Sequence, residues 1–513
     1  MSGKSTHGDL DNDQEKKRLA PNAVFAVLQV VVSSAILFLL YRFLLTSLGV
    51  EALGVWSLVV AATSLANVSN LGLAGGTVRF VSKHLARGDA RSAGLAVETA
   101  TLSIAVVMGL IVLLLSWVID WLLGLIIPLA WIDQARQIVP FSLAALWLSS
   151  VGGAIHSGLE GCHRADLRSL VTMLTQPLLL LVAIWLVPQM GLKGIAYAQM
   201  LQYLAWLGLG WYLLRKQLPA LSHMPIRWSR RLFLEMWRYG VNFQLISILT
   251  LMTEPLAKGL LSHYGSLSAV GYFEMANRLV GQVRALLVSA NQVLVPYYSK
   301  IGETSREGVK TLYVQNLNTI ILLGSLAFSS LVAMLPLISE LWIGRLEPQF
   351  LLFAVMLSGG WFVNTLAVPA YFANLGLGRL APNLLSHVVF MMAMVPLAVM
   401  GGILMGASGS AAAWPLSLVL GACVLIGNFH RAEGIPLSVV FCTANIKAMA
   451  LGGGFALFGF FACFSVFGAI GFYGAIAVSV VLLILGWALY LLVIPAGWMF
   501  VRSLNSWAGS SSN

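Results

Sequence analysis

The sequence predicts an all-α integral membrane protein with about 14 transmembrane helices, in two pseudo-symmetric six-helix lobes followed by two C-terminal helices. Three observations support this: an apolar composition, regularly spaced apolar runs and an internal repeat. Of the 513 residues, 59% are hydrophobic and 10% charged, with a mean hydropathy of +0.88. Soluble domains carry about 25% charged residues. A cytosolic enzyme, a secreted disulfide scaffold and a nucleic-acid-binding protein are therefore excluded.

Apolar runs of about 20 residues, long enough to cross the hydrocarbon core, recur along the whole chain. They lie near 22–45, 52–75, 95–118, 138–158, 169–188, 193–214, 239–262, 276–298, 313–336, 350–373, 381–404, 408–429, 446–467 and 471–496.

These runs divide the chain into six segments. We expect a cytoplasmic tail over 1–20, an N-lobe over 21–216, an amphipathic cytoplasmic linker over 217–238, a C-lobe over 239–431, two further spans over 432–500 and a cytoplasmic tail over 501–513. The stretch 226–240 is typical of an amphipathic helix lying on the membrane surface.

The basic residues support this topology. Lys and Arg collect in cytoplasmic loops of membrane proteins, so a wrong number of spans would scramble their distribution. With both termini in the cytoplasm, about 23 of the 30 Lys and Arg residues fall in predicted cytoplasmic segments. The net charge of +11 is therefore read first as a sign of orientation.

The two halves of the chain resemble each other at an offset of about 215 to 217 residues. Both contain a glycine 29 residues before a Ser-Lys lysine, and later a glycine triplet with intervals of 30 and 3 residues. The matching residues are Gly54, Lys83, Gly161, Gly191 and Gly194 in the first half and Gly271, Lys300, Gly376, Gly406 and Gly409 in the second. A repeat of six spans implies a parallel pseudo-two-fold along the membrane normal, an arrangement typical of carriers.

Polar side chains inside spans are costly and normally face a bundle interior or water, so they are the candidate site residues. Asn277, Arg284 and Asn291 recur every seven residues and share one helix face. Glu254 and Lys258 lie four residues apart on the preceding span. We expect the pair and Arg284 to meet at similar depth.

The repeat places Arg42 at the position of Lys258 and Asn67 at that of Arg284, with Asn70 in the same stripe. Together Arg42, Lys258, Arg284 and Glu254 carry about +2. One interpretation is a water-filled cavity whose cations hold an anionic substrate such as a phosphate-bearing lipid. The other is that Glu254 and Lys258 form a structural pair while Arg42 snorkels to the outer headgroups.

The stretch LGVEALGVWSLVVAATSLANVSNLGLAGGTVRFVSKHLARGD (48–89) and its partner YGSLSAVGYFEMANRLVGQVRALLVSANQVLVPYYSK (264–300) resemble bacterial polysaccharide transporters of the O-antigen flippase type. These belong to the multidrug, oligosaccharidyl-lipid and polysaccharide exporter superfamily. The resemblance implies a flippase for undecaprenyl-pyrophosphate-linked oligosaccharide in the bacterial inner membrane.

The same resemblance implies no bond chemistry and no cofactor, with coupling to an H⁺ or Na⁺ gradient. The implied partners are the lipid-linked oligosaccharide and membrane lipids, with a polysaccharide polymerase and glycosyltransferases as further candidates; no nucleic acid is expected. The sequence contains no P-loop, no G-x-S-x-G elbow and no H-E-x-x-H motif.

Three alternatives remain open at this point. A multidrug and toxin extrusion antiporter is disfavoured because the candidate cavity leans positive and the first lobe has almost no mid-span carboxylate. A peptidoglycan-precursor flippase shares the span number and the anionic lipid substrate, so the sequence separates it weakly. A membrane assembly subunit without transport is disfavoured by the polar stripes inside the spans.

Overall fold

The computed structural model describes residues 6–64, 71–292 and 294–493, which form fifteen α-helices and a short 3₁₀ helix at Leu437–Val439. The α-helices are α1 (Thr6–Leu48), α2 (Val50–Ser64), α3 (Leu71–Leu85), α4 (Ala90–Ile126), α5 (Leu129–Gly161), α6 (Ala165–Met190), α7 (Leu192–Gln217), α8 (Arg230–Tyr264), α9 (Leu267–Gln292), α10 (Val295–Gly302), α11 (Arg306–Ile343), α12 (Pro348–Leu366), α13 (Val368–Gly376), α14 (Leu380–Glu433) and α15 (Thr443–Val493).

This architecture confirms the all-α membrane fold class. The fourteen predicted apolar runs fall on these helices over their described residues, apart from breaks at Leu294, between α9 and α10, and at Ala367, between α12 and α13. Eight described helices are long and apolar enough to cross a membrane, judged by length and composition. Large apolar side chains on them are exposed, including Trp117, Leu129 and Leu404, as expected for surfaces that face lipid.

Two helices are too long to be single spans, because 50 residues of straight α-helix would extend about 75 Å. α14 turns back at Gly406, whose φ of 61° and ψ of −135° are not helical. In α15, Cys463 Sγ lies 3.1 Å from Ser479 Oγ although the residues are 16 positions apart. Each of these helices therefore contains two of the predicted spans.

The internal repeat is present in the geometry as well as in the sequence. Gly191 has nearly the same backbone conformation as Gly406, with φ 58° and ψ −133°. At the second matching pair, a Cβ on Gly161 would lie 2.7 Å from Val81 Cβ, and one on Gly376 would lie 2.6 Å from Tyr298 Cβ. Only glycine allows helices to approach this closely without displacing a neighbour.

A serine hydrogen bond repeats beside each of these contacts. Ser82 Oγ donates to the Gly161 carbonyl at 2.9 Å, and Ser299 Oγ donates to the Gly376 carbonyl at 2.7 Å. The same local packing therefore occurs twice in one chain, at the offset that the glycine spacing predicts.

The chain forms two compact units, 1–263 and 264–513. The division falls between His263 and Tyr264, at the end of α8, whereas the apolar runs predict a lobe boundary in the linker 217–238. In unit 1 the core is built from small and branched side chains of α4, α5 and α7, such as Ala96, Ile155 and Leu214.

Of the stretch 226–240, expected to form an amphipathic helix, residues 230–240 are helical and residues 226–229 are not. Residues 218–229 form an irregular segment, and the helix begins only at Arg230 and continues through the seventh predicted span. The physical reason is that backbone amides of the linker donate hydrogen bonds to Glu98 on α4. The Ser222 amide donates to Glu98 Oε1 at 2.9 Å and the Arg227 amide to Glu98 Oε2 at 3.0 Å.

Candidate functional site

Arg284, on α9 of unit 2, is held against an aromatic ring. Its guanidinium carbon lies 4.5 Å from the centre of the Trp361 ring on α12, within the range of a cation–π contact. Trp361 Nε1 in turn donates to Asn277 Oδ1 at 3.4 Å. Asn277 and Arg284, two of the residues in the predicted seven-residue stripe, therefore meet at the same tryptophan.

The charge of Arg284 has no acidic counterpart within the described part of the chain. The side chain is half-buried, and among the described residues its Nε has no hydrogen-bond partner. Tyr371 on α13 and His387 on α14 are also half-buried in unit 2, and the centres of their rings lie 6.3 Å apart.

Asn291 lies on the same face of α9 but makes different contacts. Its Oδ1 accepts a hydrogen bond from Asn316 Nδ2 at 2.7 Å, and its Nδ2 donates to the Leu287 carbonyl. The side chain is only 2% exposed. Asn291 thus joins α9 to α11 and does not contact the Arg284 cluster.

Glu254 and Lys258, in unit 1, form an ion pair along α8. Lys258 Nζ lies 2.5 Å from Glu254 Oε1, and the lysine side chain is 1% exposed while the glutamate is 36% exposed. This carboxylate neutralises the buried ammonium. That the pair shares a site with Arg284 stays a prediction.

Three predicted site residues remain: Arg42, Asn67 and Asn70. Arg42 is exposed near the end of α1, one residue after the fully buried Tyr41. Asn67 and Asn70 fall outside the described residues.

Sequence reasoning missed Trp361 and Tyr371. Aromatic residues are common in membrane helices, and no spacing in the sequence links either ring to Arg284. A comparison of the two halves could have pointed to Tyr371. At the offset of 215 it corresponds to His156, so both halves carry a ring at this position.

The structure resembles solved transporters in fold. A multidrug resistance transporter of the MATE family and MOP superfamily, in an inward-facing conformation, has a TM-score of 0.67 and 15% identity, covering 82% of this chain and 99% of its own. The lipid II flippase MurJ, in an inward closed conformation, has a TM-score of 0.70 and 11% identity, covering 94% and 99%. A variant of the Vibrio cholerae MATE transporter VcmN has a TM-score of 0.58 and 16% identity, covering 83% and 98%.

No curated protein matches the chain by sequence. The model of one family, described as polysaccharide biosynthesis protein, matches residues 22–302, more than half of the 513 residues. This chain therefore belongs to the polysaccharide biosynthesis protein family, with the fold of MOP-superfamily transporters.

Proposed function

We propose that this protein is a flippase for undecaprenyl-pyrophosphate-linked oligosaccharide. It moves the repeat unit from the inner to the outer leaflet of the bacterial inner membrane by alternating access, for O-antigen, exopolysaccharide or capsule biosynthesis. The observation that carries the proposal is Arg284, a cation in the predicted span 276–298 that contacts Trp361 and lacks an acidic partner among the described residues.

The energetic argument concerns the cost of that charge. An arginine near the centre of a membrane helix costs about 2.5 to 3.5 kcal/mol on insertion scales. The cation–π contact with Trp361 offsets part of this insertion cost, by about 0.5 to 2 kcal/mol. An unpaired guanidinium is suited to bind a diphosphate, because its planar donors match phosphate oxygens in a bidentate geometry.

Family membership supports the other two parts of the proposed substrate, the glycan and its lipid carrier. A polysaccharide biosynthesis protein with a transporter fold needs a glycan carrier that is anionic and already in the membrane, and polyprenyl pyrophosphate meets both requirements. In this proposal the diphosphate binds at Arg284, the glycan travels in an aqueous cleft and the polyprenyl tail stays in the bilayer.

Three further expectations belong to the proposal. Both termini lie in the cytoplasm, as the distribution of Lys and Arg predicts. Transport draws on an H⁺ or Na⁺ gradient rather than on a cofactor, with Glu254 and Lys258 as ionisable groups in the predicted span 239–262. Glycosyltransferases supply the substrate, and a polymerase consumes the product.

The experiment uses cells that lack the chromosomal copy and carry plasmid variants. We expect cells without the protein to accumulate lipid-linked oligosaccharide on the cytoplasmic face and to lose surface polysaccharide. Arg284→Gln should reproduce this defect, whereas Arg284→Lys should retain part of the activity because it keeps the charge.

Arg231→Gln is the matched control. It also removes one arginine charge, but Arg231 is 88% exposed and its partner Glu235 is 41% exposed. Normal polysaccharide in Arg284→Gln would contradict the role of the cation. Unchanged polysaccharide in the deletion strain, together with increased sensitivity to cationic dyes, would favour a drug antiporter instead.

A further inference from the structure

His156, on α5 of unit 1, is a buried ionisable side chain inside the predicted span 138–158. It is 2% exposed. Its ring stacks on the Trp206 ring of α7, with ring centres 3.8 Å apart and an interplanar angle of 12°. Ionisable side chains inside spans are costly and usually belong to an ion or substrate pathway.

Glycines on the facing helices make room for both rings of this stack. A Cβ on Gly210 of α7 would lie 2.8 Å from His156 Nε2, and a Cβ on Gly152 of α5 would lie 2.6 Å from the Trp206 ring. Trp206 Nε1 also donates to Thr172 Oγ1 on α6 at 3.2 Å. The two rings are therefore held in one position by α5, α6 and α7.

The contacts of His156 identify the ring nitrogen that is free to bind a proton. Nε2 lies 3.2 Å from the Trp206 carbonyl oxygen. A carbonyl oxygen only accepts hydrogen bonds, so Nε2 carries the hydrogen of the neutral ring and Nδ1 keeps the lone pair. Nδ1 is buried and has no hydrogen-bond partner among the described residues. A second proton would bind there.

The charged groups around the stack are already paired or exposed. Glu160 lies one helical turn after His156 on α5 and forms an ion pair with Arg168 of α6. On the other helices packed against α5, Glu98 of α4 bonds to Arg227, Arg215 of α7 contacts His223, and the side chains of three residues are exposed: Glu51 on α2 and Arg79 and Lys83 on α3. The imidazole can therefore change its charge without breaking an ion pair of its own.

Unit 2 provides an internal control. At the offset of 215, Tyr371 and Gly421 occupy the positions of His156 and Trp206. Glycine has no side chain, so this pair of positions in unit 2 cannot form a ring stack. The repeated helix packing therefore does not require the stack or the buried imidazole.

From these observations we infer that His156 Nδ1 binds the coupling proton of transport. The inference rests on the proposed function and narrows its coupling ion to H⁺. The proton adds to the lone pair of Nδ1, no bond breaks, and the charge of the ring changes from 0 to +1.

The environment of Nδ1 explains how this proton is coupled to a conformational change. The face of Trp206 stabilises an imidazolium by a cation–π contact. The new N–H also needs an acceptor, and a buried donor without one is costly. Proton binding therefore favours a conformation in which Nδ1 reaches water, and a ligand shifts a conformational equilibrium by its preference for one state.

The test follows fluorescent polyprenyl-pyrophosphate-linked oligosaccharide in proteoliposomes under a pH difference of about one unit, with equal Na⁺ on both sides. If one proton is exchanged per lipid, the wild-type protein should drive the ratio of lipid between the leaflets towards about tenfold. His156→Gln should exchange lipid without a gradient but leave this ratio near one. The matched control, His223→Gln, removes an exposed imidazole from the linker and should accumulate lipid as the wild-type protein does.

Accumulation by His156→Gln at the wild-type level would overturn the inference, and so would a wild-type protein that responds to a Na⁺ gradient but not to pH. A wild-type protein that exchanges no lipid would contradict the proposed function instead. NMR of isotope-labelled histidine in nanodiscs tests His156 independently of transport. Its signal should change from the neutral to the charged form between about pH 8 and 5, and a signal that stays neutral would refute proton binding.

Discussion

At the scale of single residues, Trp361 determines where the positive charge of unit 2 lies. Its ring centre is 4.5 Å from the Arg284 guanidinium, and its indole N–H is directed to Asn277. A long arginine side chain has many rotamers, and restricting them before the ligand arrives lowers the entropic cost of binding. Trp361 therefore acts through Arg284.

Trp361→Leu should weaken substrate binding about 2- to 30-fold, because a cation–π contact contributes about 0.5 to 2 kcal/mol. Trp361→Phe should lose less, since phenylalanine keeps a ring face but not the hydrogen bond to Asn277. The measurement is the apparent KM for lipid-linked oligosaccharide in proteoliposomes. Equal KM values in the leucine variant and the wild-type protein would contradict this role.

The sequence predicts part of this site, for identifiable reasons. Arg284 and Asn277 follow from a seven-residue period, which is a property of one helix. Trp361 and Tyr371 lie on α12 and α13, and contacts between different helices leave no period in the sequence. Asn291 shares this period, and its hydrogen bond to Asn316 on α11 is again a contact between helices that the period does not predict.

At the scale of elements, the linker 218–229 is fixed by one buried carboxylate. Glu98 is completely buried and accepts hydrogen bonds from two linker amides and from the Arg227 guanidinium, whose Nη2 lies 2.5 Å from Glu98 Oε1. Trp228 Nε1 also donates to Ser103 Oγ at 2.9 Å. These bonds explain why the segment is irregular rather than helical.

Arg227→Ala should lower the free energy of unfolding by about 1 to 3 kcal/mol, because it removes a charged partner from a buried carboxylate. Thermal unfolding in detergent measures the loss, and proteolysis within 218–229 should become faster. Arg231→Ala is the matched control, since Arg231 is 88% exposed in its ion pair with Glu235 and such pairs contribute little. Equal stability of the two variants would refute the importance of the Glu98 bonds.

At the scale of the whole molecule, the same glycine turn occurs in both units. Gly191 and Gly406 turn the chain at equivalent points of the two units with the same positive φ. The sequence predicts this repeat because the turns and the close helix contacts require glycine, so glycine stands at the matching positions of both halves. It does not predict the division at His263, because the apolar runs carry no information on which unit each helix packs against.

Gly191→Ala and Gly406→Ala should each destabilise the protein by about 1 to 3 kcal/mol, because an L residue is strained at this φ and ψ. The matched control is Gly208→Ala in the helix α7, where an added Cβ meets no atom within 4 Å. This control should be neutral or stabilising by up to about 1 kcal/mol. Thermal unfolding of all three variants makes the comparison, and a harmless change at either turn would contradict the repeat geometry.

The most direct test of the central claim is lipid flipping in proteoliposomes that contain only this protein and fluorescent polyprenyl-pyrophosphate-linked oligosaccharide. The fraction of lipid accessible from outside is followed over time under an imposed H⁺ or Na⁺ gradient. We expect rapid exchange with the wild-type protein and with Arg231→Gln, and a rate near that of empty liposomes with Arg284→Gln. Absence of flipping by the wild-type protein, or equal rates with Arg284→Gln, would contradict the account.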